Sequence, residues 1–178
     1  MGLLSIIRAL RRSNSEFKLL VLGLDNSGKT TILTALAEDP ISHIMPTQGF
    51  NMKSIQQDNI RLNMWDIGGQ ETIREHWSTY YNNTDCLIFV IDAADRRRLE
   101  EAGYELSLLL REDALVGKPL LIWANKQDLL QALPSDDITQ LLKLHRIRDR
   151  QWQIFGCSAK NGTGLSEGLT WVRGTMKQ

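Results

Sequence analysis

Cysteine is scarce in this chain: two residues in 178, Cys86 and Cys157, both in apolar surroundings. That argues against a disulfide scaffold and for a reducing compartment. No apolar run approaches the ~20 residues needed to span a bilayer. The N-terminus is apolar and basic, yet too short and too interrupted for a signal peptide. Neither sign of charge is in excess, with 21 Lys plus Arg against 21 Asp plus Glu. Without a basic field no nucleic-acid partner is expected, because phosphate backbones are held by positive charge. Repeats, low-complexity tracts and Pro/Gly-rich linkers are absent as well. The length suits one domain able to bury a full core.

What is present is an alternation of apolar strand-like runs with helical patterns. Phe17 to Leu22 reads as a buried strand, followed by a glycine-bounded loop and a helix from about Gly28 to Ala37. Asn51 to Gln57 and Ile60 to Asp66 read as an antiparallel hairpin joined tightly at Asp58-Asn59. Cys86 to Ile91 and Leu120 to Ala124 are further buried strands, each followed by a helical pattern. Trp152 to Cys157 is a last strand and Leu165 to Met176 a last helix. The pattern predicts an α/β fold: a mostly parallel central sheet with one antiparallel hairpin and helices on both faces. Ligands of such sheets bind beyond the C-terminal ends of the strands.

The motifs fall at those ends. Gly23-Leu24-Asp25-Asn26-Ser27-Gly28-Lys29-Thr30 matches the phosphate-loop pattern and stands between a strand and a helix, the context that pattern requires. Its amides and the helix N-terminus attract phosphate. Lys29 can reach the β and γ oxygens, and the Thr30 hydroxyl can ligate magnesium, a hard ion that prefers oxygen. Asp25 is an anion in an anion-binding loop, and its side chain is expected to point to solvent.

Asn125-Lys126-Gln127-Asp128 follows its own strand. A carboxylate at Asp128 can accept from N1–H and the exocyclic amine of guanine, whereas adenine would present a lone pair to it. Sites of this kind discriminate by roughly 10⁴–10⁵. The Lys126 stem can lie along the base, and Asn125 can tie the loops together. Ser158 and Ala159, after the last strand, could bring backbone amides to the guanine carbonyl.

Trp65-Asp66-Ile67-Gly68-Gly69-Gln70 closes the hairpin. Asp66 is placed to hold magnesium through water, Gly69 to bring its amide to the γ-phosphate, and Gln70 to orient the attacking water. Thr47, between the phosphate loop and the hairpin, offers a second hydroxyl to the metal. Two other classes carry part of the pattern: a P-loop phosphotransferase and a nucleotide-binding scaffold that does not hydrolyse. The guanine motif argues against the first, Gln70 and Thr47 against the second. No arginine is recognisable as a finger supplied in cis, so unaided hydrolysis is expected to be slow.

Together these segments resemble the Arf and Arf-like small GTPases. GLDNSGKTT, PTQGFN, WDIGGQ, NKQD and CSA occur in the family's order and spacing over essentially the whole chain. The resemblance implies a GTP/GDP-binding switch with Mg2+ on Thr30 and Thr47. It implies a nucleotide site running from Gly23 to Thr31, γ-phosphate sensing by Gly69, and water orientation by Gln70. Guanine recognition falls to Asn125, Lys126 and Asp128. It also implies an exchange factor, a GTPase-activating protein, and effectors docking on Phe50, Trp65 and Tyr80. ISHIMPTQGFNMKS and IRDRQWQIFGCSA are most similar to the ciliary Arf-like branch, which releases lipidated cargo from carriers with an immunoglobulin-like sandwich fold. A cytoplasmic, partly membrane-associated location follows, with the cilium or flagellum as its specific site.

Two departures stand out. Ser5 comes one place early and Ile6 takes the position that N-myristoylation favours for Ser or Thr, so myristate on Gly2 is not expected. Glu71-Thr72-Ile73-Arg74-Glu75-His76 replaces a stretch where relatives often carry basic residues and a proline. Residues 1–15 read as an amphipathic helix and linker, and 16–178 as the GTPase domain. Leu3, Ile6, Ile7 and Leu10 form one helical stripe that has to pack on something. It either docks on the domain permanently or, as the resemblance implies, docks with GDP and is released with GTP to touch membrane weakly.

Overall fold

The computed structural model describes residues 15–37, 49–57 and 60–176. The N-terminal stripe, Thr47 and the Asp58-Asn59 connection lie outside the described residues. Among the described residues six strands form one sheet: β1 (Ser15–Leu22), β2 (Phe50–Gln57), β3 (Ile60–Ile67), β4 (Cys86–Asp92), β5 (Leu120–Asn125) and β6 (Trp152–Gly156). Their order is β2-β3-β1-β4-β5-β6. All neighbours pair in parallel except β2 and β3, which run antiparallel with Gln57 opposite Ile60. The helices are α1 (Lys29–Leu36), α2 (Glu71–Arg74), α3 (Leu99–Leu109), α4 (Ser135–Leu141) and α5 (Leu165–Met176). The expected elements are all there, most with ends moved by one or two residues, where a terminal hydrogen bond is gained or lost.

Two cores follow from the period of two along each strand. Leu20 and Leu22 of β1, Leu87, Phe89 and Ile91 of β4, and Leu120 and Ile122 of β5 face α3 and α4. The alternate residues Leu19, Val21, Ile88, Val90, Leu121 and Trp123 face α1 and α5. Central strands β4 and β5 are therefore apolar at nearly every position, because helices cover both faces. In β3, Leu62 and Met64 are fully buried, while Arg61 is exposed and Asn63 and Trp65 are half-buried. That is the alternation expected for the hairpin.

Helix α5 comes close to β5 at one glycine. A β-carbon on Gly168 would overlap the Trp123 indole, which is fully buried and has no room to withdraw. Gly168→Ala should lower unfolding free energy by about 1–3 kcal/mol through overpacking, despite the better helix propensity of alanine. Urea unfolding followed by circular dichroism measures it; a stability gain would mean that α5 can shift without cost.

Candidate functional site

Strands β1, β3, β4, β5 and β6 deliver their C-terminal ends to one rim of the sheet. The loop from Gly23 to Gly28 leaves β1 there and enters α1. Gly28 has φ of 97°, and a β-carbon on it would collide with the Asn125 carboxamide. Glycine is thus required twice at this position, for the backbone turn and for space. Inside the loop the Lys29 ammonium donates to Gly23 O and Leu24 O, each at 2.9 Å. Burial pulls its pKa down from 10.5 to about 8, and the carboxylates of Asp66 and Asp25 partly offset that.

The Thr30 hydroxyl donates to Asp66 Oδ2 at 2.5 Å, across 36 residues of sequence. Asp66 is fully buried at the end of β3. A hydroxyl and a carboxylate side by side at a helix N-terminus are hard oxygen donors, and they fit a magnesium ion. That ion, when bound, would supply positive charge beside the phosphates. Thr30 is brought to this place as expected; Thr47 falls outside the described residues.

Asn125 ties three loops together as expected. Its Nδ2 donates to Ser27 O at 2.9 Å, and its Oδ1 accepts from the Ala159 amide at 3.0 Å. The Ala159 amide is therefore engaged by Asn125 in this structure. Ser158 contributes its side chain as well: Ser158 Oγ donates to Asp128 Oδ1 at 2.6 Å and orients that carboxylate, the one expected to read a guanine edge. Lys126, held at φ of 68°, pairs with Asp92 Oδ2 at 2.6 Å. Asp92 was not among the expected site residues. Its signal was its position, a carboxylate closing the buried strand β4 in register with Asn125.

Asp25 departs from the expectation that it points free into solvent. It accepts from Arg98 Nη2 at 2.8 Å and lies 3.8 Å from Arg74. Its pKa is lowered, first by the Arg98 hydrogen bond. The anion in the phosphate loop is thereby matched by guanidinium charge. Neither Arg74 nor Arg98 was among the expected site residues, since in the sequence each is one basic residue among many.

On the far side of the loop, Gly69 lies against the backbone of Gly23, Leu24 and Asp25, so closely that any β-carbon would overlap it. Gln70 follows, half-buried. Beyond the turn, Phe50, Trp65 and Tyr80 form one aromatic cluster. Phe50 stacks on Trp65 at 5.6 Å, and Tyr80 lies 5.7 Å from Phe50 and 6.4 Å from Trp65. Lys18 Nζ sits 5.0 Å over the Trp65 ring. Among the described residues the side chains of Phe50, Tyr80 and Lys18 lie against Trp65, and Phe50 stays half exposed.

The Lys29 ammonium gives a pH prediction. Phosphate anions favour its charged form, so its pKa is higher with nucleotide bound than without. The resulting contribution to affinity is full below pH 8 and fades as pH rises through that value. Calorimetry in buffers of different ionisation enthalpy should show proton uptake on nucleotide binding above pH 8. Uptake unchanged in Lys29→Met would assign the proton elsewhere.

Comparison with known proteins bears on these loops directly. A sequence profile of the ADP-ribosylation factor (Arf) family matches residues 3–176. The chain is 57% identical over 178 residues to ADP-ribosylation factor-like protein 3 of Chlamydomonas reinhardtii, covering 100% of this chain and 99% of that one. It is 49% identical to ADP-ribosylation factor-like protein 2 of Arabidopsis thaliana, over 97% of this chain and 94% of that protein. Among solved structures, the Arl6 BBS3 small GTPase from Trypanosoma brucei, with the nucleotide analogue GppNp bound, superposes with a TM-score of 0.84. It is 33% identical and covers 92% of this chain and 98% of its own. None of these matches favours a phosphotransferase. The chain belongs to the Arf family of small GTPases, GTP-hydrolysing switches that bind GTP or GDP with Mg2+.

Proposed function

We propose that this GTPase couples its third phosphate to an aromatic docking surface, and that its GTP form releases lipidated cargo from sandwich-fold carriers. The observation that carries the reading is continuity along β3. Trp65 of the aromatic cluster, Asp66 beside Thr30, and the Gly68-Gly69-Gln70 turn on the phosphate loop are consecutive in one short segment. A change at the turn is thus transmitted to the surface through a few bonds of a single strand.

In this reading Thr30 and Thr47 hold magnesium, with Asp66 acting through water. The Gly69 amide meets the γ-phosphate, and Gln70 orients the attacking water. Asn125 braces the loops, Lys126 covers the base and Asp128 reads its edge. Asp128→Asn reverses an acceptor into a donor. It should weaken GTP binding by about two orders of magnitude or more and favour xanthine nucleotides. Titration calorimetry with GTP and XTP tests this; unchanged guanine affinity would remove Asp128 from the base site.

The ciliary cargo-release role rests on the segments ISHIMPTQGFNMKS and IRDRQWQIFGCSA; type 3 Arf-like relatives are 49–57% identical to the chain and the type 2 protein of Arabidopsis 49%. A cytoplasmic location with weak membrane contact through residues 1–15 accompanies it. Trp65→Ala should reduce capture of a lipid-binding sandwich carrier at least tenfold when GTP-loaded, as loss of an aromatic anchor does. Nucleotide affinity should be unchanged. The measurement is surface binding of a purified carrier loaded with a prenylated peptide. Release of that peptide by GTP-loaded protein and not by GDP-loaded protein is the expected outcome; equal release by both would overturn the role.

A further inference from the structure

Two consecutive carbonyls of the Gly68-Gly69-Gln70 turn are held by side chains from the segment just after it. Trp77 Nε1 donates to Gly68 O at 3.0 Å, and Arg74 Nε donates to Gly69 O at 2.8 Å. In a planar trans peptide the carbonyl of one residue and the N–H of the next point in opposite directions. The Gly69 amide therefore faces away from Trp77, and the Gln70 amide faces away from Arg74. These two side chains fix the direction of two successive donors in a turn that rests on the phosphate loop.

Arg74 is tied down on every side. Its side chain is only 9% exposed. Its Nη1 pairs with Glu105 at 3.0 Å and its Nη2 with Glu101 at 2.7 Å, two carboxylates one turn apart on α3. The guanidinium is a rigid plane, so it cannot rotate about one bond without straining the others. Glu101 is shared with Arg98, which holds Asp25 of the phosphate loop. A continuous chain of ion pairs thus runs from the Gly69 carbonyl through α3 to the loop.

We propose that Arg74 is a positioning residue for γ-phosphate selectivity. It locks the Gly69–Gln70 peptide so that the turn meets a third phosphate in one orientation. The proposal rests on the reading of this turn as the γ-phosphate sensor. A simple brace of α2 on α3 would affect GDP and GTP alike; a positioning role affects the nucleotide with the third phosphate.

The test uses the full chain with magnesium. Affinities for GDP and for a non-hydrolysable GTP analogue are measured by competition, alongside single-turnover hydrolysis and thermal midpoints. Arg74→Met should keep GDP affinity and lose about tenfold or more for the analogue, with hydrolysis slowed in step. Arg74→Lys should fall between, since one ammonium cannot reproduce the planar fork. Glu105→Gln should shift the ratio the same way by less, and it carries the test if Arg74→Met does not fold. An unchanged GTP:GDP ratio in the folded variants, or equal weakening of both nucleotides, overturns the proposal. Gly69→Ala separates the two readings. If it abolishes GTP preference while Arg74→Met does not, the sensor stands and the role of Arg74 falls; if neither changes the ratio, both fall.

Discussion

The site depends on one buried carboxamide. Asn125 is 1% exposed and bonds a residue 98 positions before it and another 34 positions after it. It has a donor for Ser27 O and an acceptor for the Ala159 amide, both in the plane of one short side chain. An apolar replacement would leave a buried carbonyl and a buried amide unsatisfied, at roughly 1–3 kcal/mol each. Three loops would then lose their common reference. β5 presents this residue at the end of a strand that is buried along its whole length and paired on both sides.

Around Asn125 the chain is packed backbone to backbone, which explains where glycine stands. Gly28 leaves room for the carboxamide, and Gly69 leaves room for the phosphate loop to touch the turn. These contacts bring main-chain groups, rather than side chains, to the rim where the phosphate-loop pattern lies. Main-chain amides donate without titrating, and they carry little rotational freedom to lose. Lys29, where the loop enters α1, donates to two loop carbonyls, which satisfy its buried ammonium.

Strands and contiguous motifs were legible because each is written in a short stretch. A buried parallel strand reads as an apolar run, and the loop beyond its end takes the functional residues. Pairs made by topology were not legible. Nothing local links Asp92 to Lys126, Asp25 to Arg98, or Ser158 to Asp128, since each pair is separated by about thirty residues or more. The sheet order brings them together. Asp25 shows the consequence most clearly. Viewed in its loop it has no partner and belongs in water, yet the start of α3 arrives 73 residues later with the arginine that pairs it.

That arginine cluster also bears on hydrolysis. Arg74 and Arg98 stand beside the phosphate loop, but they are matched by Asp25, Glu101 and Glu105: two cations against three anions, a balance of −1. Glu101 is held at a pKa of about 2, chiefly by its Arg98 hydrogen bond and further by Arg74, so the pairing persists across physiological pH. A guanidinium already shared between carboxylates has little charge left to offer a developing phosphoryl transition state. Moving it there would break its pairs with these carboxylates, of which Glu105 is the most buried. Both arginines therefore act on the geometry of the site rather than as fingers into it. The positive charge that speeds phosphoryl transfer by about 10³–10⁵ has to come from outside this cluster, and an arginine inserted by an activating protein would supply it.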